Sequence, residues 1–136
     1  MSILTFPGTG GVENDLIAAL FAGDDPLLSG LRQQYAVAKL IDRDLTVSGF
    51  FLKFDVGSAV SPVEPTDVVV DDVLFELEGL EHGGGAIAHV HNGYLDLVEA
   101  YLHAGHWPKA PRLVRVYYDT GAVRDLELLG KVWRKR

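Results

Sequence analysis

An asparagine followed by glycine, set between two runs of alternating character, leaves a chain few ways to fold. Ala86 to His91 precedes Asn92-Gly93, and Tyr94 to Tyr101 follows it. Asn-Gly supplies the two positive φ angles of a type I′ turn, the tightest link between antiparallel strands. With this turn, His91 faces Tyr94 and His89 faces Asp96. Alternation then predicts Ala86, Ala88, Val90, Leu95 and Leu97 on the core face, with Glu99 and Tyr101 beside them. His89, His91 and Asp96 share the other face.

Other elements are built around this hairpin. Leu16 and Leu20, and Ile17 and Phe21, lie four apart and predict a helix over Val12 to Ala22, stopped by Gly23. Asp25 as N-cap and Pro26 at the first helical position open a second helix. Its stripe of Leu28, Leu31, Tyr35 and Ala38 runs to about Leu40. Leu45 to Val56 reads as a strand, with Phe50, Leu52, Phe54 and Val56 on one face. Gly57 to Pro65 reads as a loop. Val68 to Leu80 is a further strand with Val69, Val73, Phe75 and Leu77 inward and Asp72, Glu76 and Glu78 toward water. Asp71 falls out of phase there and marks a bulge or a break. Leu113 to Tyr118 is a strand, and residues 123–129 form a strand or a short helix. The expectation is one α+β domain over residues 1–136. An N-terminal αα-hairpin packs on a mainly antiparallel sheet of about five strands, with 1–11 and 130–136 as loose termini.

Charge narrows the function. The net charge of -7 is divided unevenly: residues 1–102 hold 16 acids against 4 Lys and Arg, and residues 103–136 hold 3 against 8. Ten acids and all five histidines lie between Lys53 and Lys109, where there is no Lys or Arg. This polarity points to a partner or a site, or to pairing of these acids with Arg112 and Arg115 across a sheet. An acidic body argues against nucleic acid, whose phosphates demand a basic surface. No apolar run approaches the roughly 18 residues of a membrane span. Met1 to Pro7 lacks the features of a signal peptide. The absence of cysteine excludes disulfides, thiolate metal sites and a thiol nucleophile, and fits the cytoplasm.

Several strings resemble, in order from about residue 16 to residue 118, a family of small bacterial proteins with no established activity. They are Leu20-Phe21-Ala22-Gly23-Asp24-Asp25-Pro26, Leu31-Arg32-Gln33-Gln34-Tyr35, Gly49-Phe50-Phe51 and Gly79-Leu80-Glu81-His82-Gly83. Asn92-Gly93-Tyr94-Leu95-Asp96, Glu99-Ala100-Tyr101 and Trp107-Pro108 complete the set. The resemblance brings no catalytic residues with it. As a class, small acidic α+β proteins also resemble immunity proteins that neutralise bacterial toxins.

Two functional expectations follow. The first is a non-enzymatic, cytoplasmic binding protein, immunity-like or regulatory, with no cofactor. Its acidic face of Asp72, Glu76, Glu78 and Glu81 steers a basic protein partner. Trp107 either anchors that partner or caps the open end of the sheet. The second is a metal-binding protein or metal-dependent enzyme in which His89, His91 and Asp96 hold a divalent transition metal, a two-histidine, one-carboxylate set. Its spacing resembles the first metal motif of the cupins, with Gly83 six residues before His89. Asp96 replaces the cupin glutamate, His103 stands where a glycine is expected, and no histidine follows His106 to complete a second motif. Phosphate-loop, dinucleotide and nucleophile-elbow patterns are absent. The strand Leu113 to Tyr118, if it is an edge strand, would permit a homodimer.

Overall fold

The computed structural model describes residues 11–134. Helices α1 (Gly11–Leu20) and α2 (Pro26–Val37) precede strands β1 (Lys39–Thr46), β2 (Gly49–Asp55), β3 (Val68–Leu77), β4 (Gly84–His91), β5 (Tyr94–Leu102) and β6 (Leu113–Tyr118). Helix α3 (Leu126–Trp133) follows. The fold is α+β, and its single sheet has six strands, not about five, in the order β1-β2-β5-β4-β3-β6, with every neighbouring pair antiparallel. No helix among the described residues is long and apolar enough to cross a membrane.

The strand that periodicity misses is β1. It lies at the edge of the sheet and carries Lys39, Asp42, Arg43 and Asp44, so it lacks the alternation of a buried strand. Helix α2 consequently ends at Val37, short of Leu40, where Ala38 turns to an extended backbone (φ -69, ψ 146). Its start is as expected: Asp25 accepts the Leu27 N–H at 2.8 Å and Pro26 opens the helix. Burial pushes the Asp25 carboxyl up, but Arg134 and the N–H groups of Leu27 and Leu28 outweigh it and hold the group below its ordinary value.

Both helices lie on one face of the sheet. Leu16, Ile17 and Leu20 of α1 and Leu27, Leu28 and Leu31 of α2 meet Phe50, Leu52, Val73, Phe75 and Val98 in one buried core. The hairpin is as the Asn-Gly pair predicts, with φ of 54 at Asn92 and 86 at Gly93. A helix residue fixes it in place. Gln34, fully buried on α2, donates to Gly93 O at 2.8 Å and Ser61 O at 3.1 Å, and accepts from Leu95 N at 2.8 Å. A side chain at Gly93 would put its Cβ 2.5 Å from Pro62 Cβ, so the turn also needs glycine for close approach.

Two bulges reset which side chains face the helices, and both lie opposite β4. In β3, Val70 pairs with Ala88 and Val73 with Ala86, leaving an extra residue at Asp71-Asp72. In β5, Leu97 pairs with His89 and Leu95 with Val90, leaving Asp96 as the extra residue. The sheet therefore buries Leu95 and Val98, not Leu95 and Leu97. Glu99 and Tyr101 turn away from the core that alternation assigned them, and Val69 turns outward at 41% exposure. Gly84 and Gly85 belong to β4 itself, and the Tyr101 ring lies over Gly85.

The chain's end is not loose as far as Arg134. Residues 126–133 form α3, capped by Asp125, which accepts from Leu128 N at 3.0 Å. Trp133 is buried, and Arg134 Nη2 reaches Asp25 at 2.8 Å. Apolar spacing is short in this helix, and the Lys/Arg run disguised its anchor. Residues 1–10 and 135–136, expected to be loose, and the Met1 to Pro7 reading lie outside the described residues.

Candidate functional site

The four acids of the expected face separate into different environments. The β3 bulge turns Asp72 inward, to 2% exposure, instead of toward water. Arg124 meets it with two hydrogen bonds, Nη2 to Oδ1 at 2.6 Å and Nε to Oδ2 at 2.9 Å. The same guanidinium donates to the carbonyls of Ala19 and Ala22 at the end of α1 and stacks over Tyr118 at 4.8 Å. Asp72 is thus part of a buried lock and leaves the acidic face. Glu76 stays outward, with Arg115 Nε at 3.8 Å, while Glu78 and Glu81 are exposed. Trp107 stands edge-on to Phe50 and Phe75, with ring centroids 5.4 and 6.1 Å away, and covers the end of the core. That is the second of its two expected roles.

The three expected metal ligands go to three different partners. His89 Nε2 lies 2.8 Å from Glu99 Oε1, His91 Nδ1 lies 3.0 Å from Asp67 Oδ1, and Lys53 Nζ is paired with Asp96. The bulge moves His89 opposite Leu97 instead of Asp96, so the expected cross-strand pair does not form. No group of three His, Cys, Asp or Glu side chains able to hold a metal ion occurs among the described residues. Asp67 also accepts the Asn92 N–H at 3.2 Å. That bond, ahead of Thr66 and His91, holds its carboxyl below the ordinary value against a smaller opposing effect of burial.

A different arrangement emerges on the sheet face away from the helices. A polar row crosses four adjacent strands there: Lys53 on β2, Asp96 and Glu99 on β5, His89 on β4 and Asp71 on β3. Phe51, Leu74, Ile87 and Leu97 are half-buried around it, and Tyr101 is exposed. Burial, then the neighbouring Asp72 and Asp119 carboxylates, push Asp71 above its ordinary value, with His89 opposing. Three carboxylates and one lysine make the row acidic.

Family models, curated proteins and solved structures give no match to this chain.

Function therefore has to be read from geometry. The row offers hydrogen-bonding groups and negative charge on a broad, partly apolar surface. Paired His89 and Glu99 are oriented by each other. Asp71 and Glu99 escape periodicity because the two bulges decide their direction, whereas Lys53 follows the alternation of β2. The one early signal was Asp71, out of phase with its strand.

Proposed function

We propose that this chain is a non-enzymatic cytoplasmic binding protein that receives a basic protein partner on its open sheet face. One observation carries the reading: the face away from the helices combines half-buried Phe51, Leu74, Ile87 and Leu97 with an acidic row and the outward Glu76 of β3. Recognition surfaces join an apolar centre to a polar rim, and such a centre draws on the hydrophobic effect. The excess carboxylates draw a basic partner in and set its register. The partner's cations would compete for Glu76, held only at 3.8 Å by Arg115, and for the exposed Glu78 and Glu81.

The test uses the immobilised chain and the basic proteins it retains at about 50 mM salt, where surface charge is weakly screened. Ile87→Arg places a cation in the middle of the face without entering the core. The paired Glu76→Lys and Glu78→Lys changes reverse the rim. Both variants should lose the retained partner, and roughly 0.5 M salt should release it from the wild type. Retention by Ile87→Arg, or binding indifferent to ionic strength, overturns the proposal.

A further inference from the structure

A cleft of about 520 Å³ runs between α1 and α2, on the helix side and apart from the open sheet face. Ile17, Ala18, Phe21 and Ala36 give it apolar walls, and Asn14 and Tyr35 are polar residues within its lining. Arg32 and Asp24 also border it, but Arg32 Nη1 is engaged by the carbonyls of Phe21 and Gly23.

The polar side of the cleft is unusual. Asn14 Oδ1 and Tyr35 Oη are buried with no hydrogen-bond partner among the described residues, and the same holds for Glu13 Oε1 and Arg43 Nη2. Glu13 is wholly buried, and its other oxygen accepts from Arg43 Nε at 3.1 Å. Two helices thus present unsatisfied atoms to the cleft, Asn14 from α1 and Tyr35 from α2, while Glu13 and Arg43 do not line it. Buried polar atoms are nearly always satisfied in native proteins, so a cluster of exceptions marks a place where something else supplies the bonds.

We propose that this cleft binds a small, uncharged, amphipathic molecule whose flat apolar body lies along Phe21 and Ala36 and whose carboxamide-like head reaches Asn14 and Tyr35. The volume falls in the range of small-molecule sites, with the same mixture of apolar wall and few polar groups. The demand for neutrality comes from the cluster. Asn14 and Tyr35 carry no charge, and Glu13, whose charge is felt at Tyr35, is already paired with Arg43, so neither an anionic nor a cationic head would find an unpaired counter-charge at that end. A carboxamide carries both complements, an N–H group for the Asn14 oxygen and a carbonyl for the Tyr35 phenol. Burial, then Glu13, pushes the Tyr35 phenol up to about 12, which keeps its proton available for donation at neutral pH.

Benzamide is the probe, titrated into the 15N-labelled full chain, with benzoate and benzylammonium as charged controls. Benzamide should give saturable amide shifts centred on Asn14, Ala18, Phe21, Tyr35 and Ala36, with both controls at least about tenfold weaker. Tyr35→Phe keeps the ring and removes the donor, and should weaken benzamide up to about tenfold. Ala18→Trp, at an exposed position, should fill the cleft and abolish the shifts. If Tyr35→Phe does not fold, Asn14→Leu takes its place with the same expected loss. Shifts confined to the open sheet face, equal binding by benzoate, no benzamide binding, or wild-type binding by Ala18→Trp would each overturn the proposal.

Discussion

The two bulges opposite β4 use one device to opposite ends. In β3 the extra residue carries Asp72 into the core, where Arg124 closes on it with side chains 6% and 2% exposed. In β5 the extra residue carries Glu99 out of the core to His89, at 34% and 21% exposure for the histidine and the glutamate. Both bulges press against β4, whose inward Ala86, Ala88 and Val90 keep strict alternation. A buried pair of charges stabilises only because both partners are present, whereas a surface pair gains little and stays available to other molecules. The β3 bulge thus belongs to the fold, tying the segment before α3 to the end of α1. The β5 bulge belongs to the face on which binding is proposed.

The sharpest way to break this comparison is to remove the buried cation. Arg124→Ala leaves the Asp72 side chain unpaired inside the protein, and should cost about 3–5 kcal/mol in denaturant unfolding. Replacing both residues, Asp72→Leu with Arg124→Met, should recover most of that loss. A cost below about 1 kcal/mol for Arg124→Ala would show that water reaches the pair and that the two bulges are alike after all. Next in size is Gln34→Leu. It strands the Leu95 N–H and takes a donor from the carbonyls of Ser61 and Gly93, the latter keeping the Val63 N–H, and should cost about 1–3 kcal/mol. Hydrogen exchange should quicken first at the Asn92-Gly93 turn, leaving β3 protected. Glu99→Gln lies at the small end: about 0.2–1 kcal/mol, as for an ordinary cross-strand pair. A larger loss would mean that the open face is structural.

What was legible in the residues follows from how local each cause is. Asn92-Gly93 dictates its turn because positive φ is a property of those two residues, and Asp25-Pro26 announces a helix start for the same kind of reason. The alternation of Phe50, Leu52 and Phe54 survives intact because β2 has no bulge in its pairing with β5. The bulges were less legible, since an extra residue is fixed by the strand opposite. The doublet Asp71-Asp72 hinted at one, while Asp96 hid the other behind a plausible histidine partner. Arg124 and Asp72 are 52 residues apart, and nothing near either names the other. Gln34 was within reach: it stands three residues after Leu31 on the buried face of α2, where a polar side chain must be answered. His89 and Asp96 part because facing each other needed an unbroken register from His91 to His89.

The finest prediction joins the two regions. Asp71 is the outward member of the β3 doublet, and burial, then Asp72 and Asp119, hold its carboxyl above the ordinary value. A raised carboxyl binds its proton more tightly in the folded state than in the unfolded one. Its contribution therefore favours folding below the unfolded pKa of about 4, and is lost as pH rises through the folded value. At pH 7 Asp71 is ionised at a net cost, so Asp71→Asn should raise stability there. Because the group is exposed, the gain should be well under about 1 kcal/mol and shrink with salt. Below about pH 4 the variant and the wild type should converge. The gain should grow in an Arg124→Ala background, because Asp72 then faces Asp71 without its cation. Urea unfolding of the four chains at pH 7 and pH 4 measures this coupling directly. A gain that ignores pH would trace to side-chain propensity in the bulge, and additivity with Arg124→Ala would mean that the two faces of β3 do not feel each other's charge.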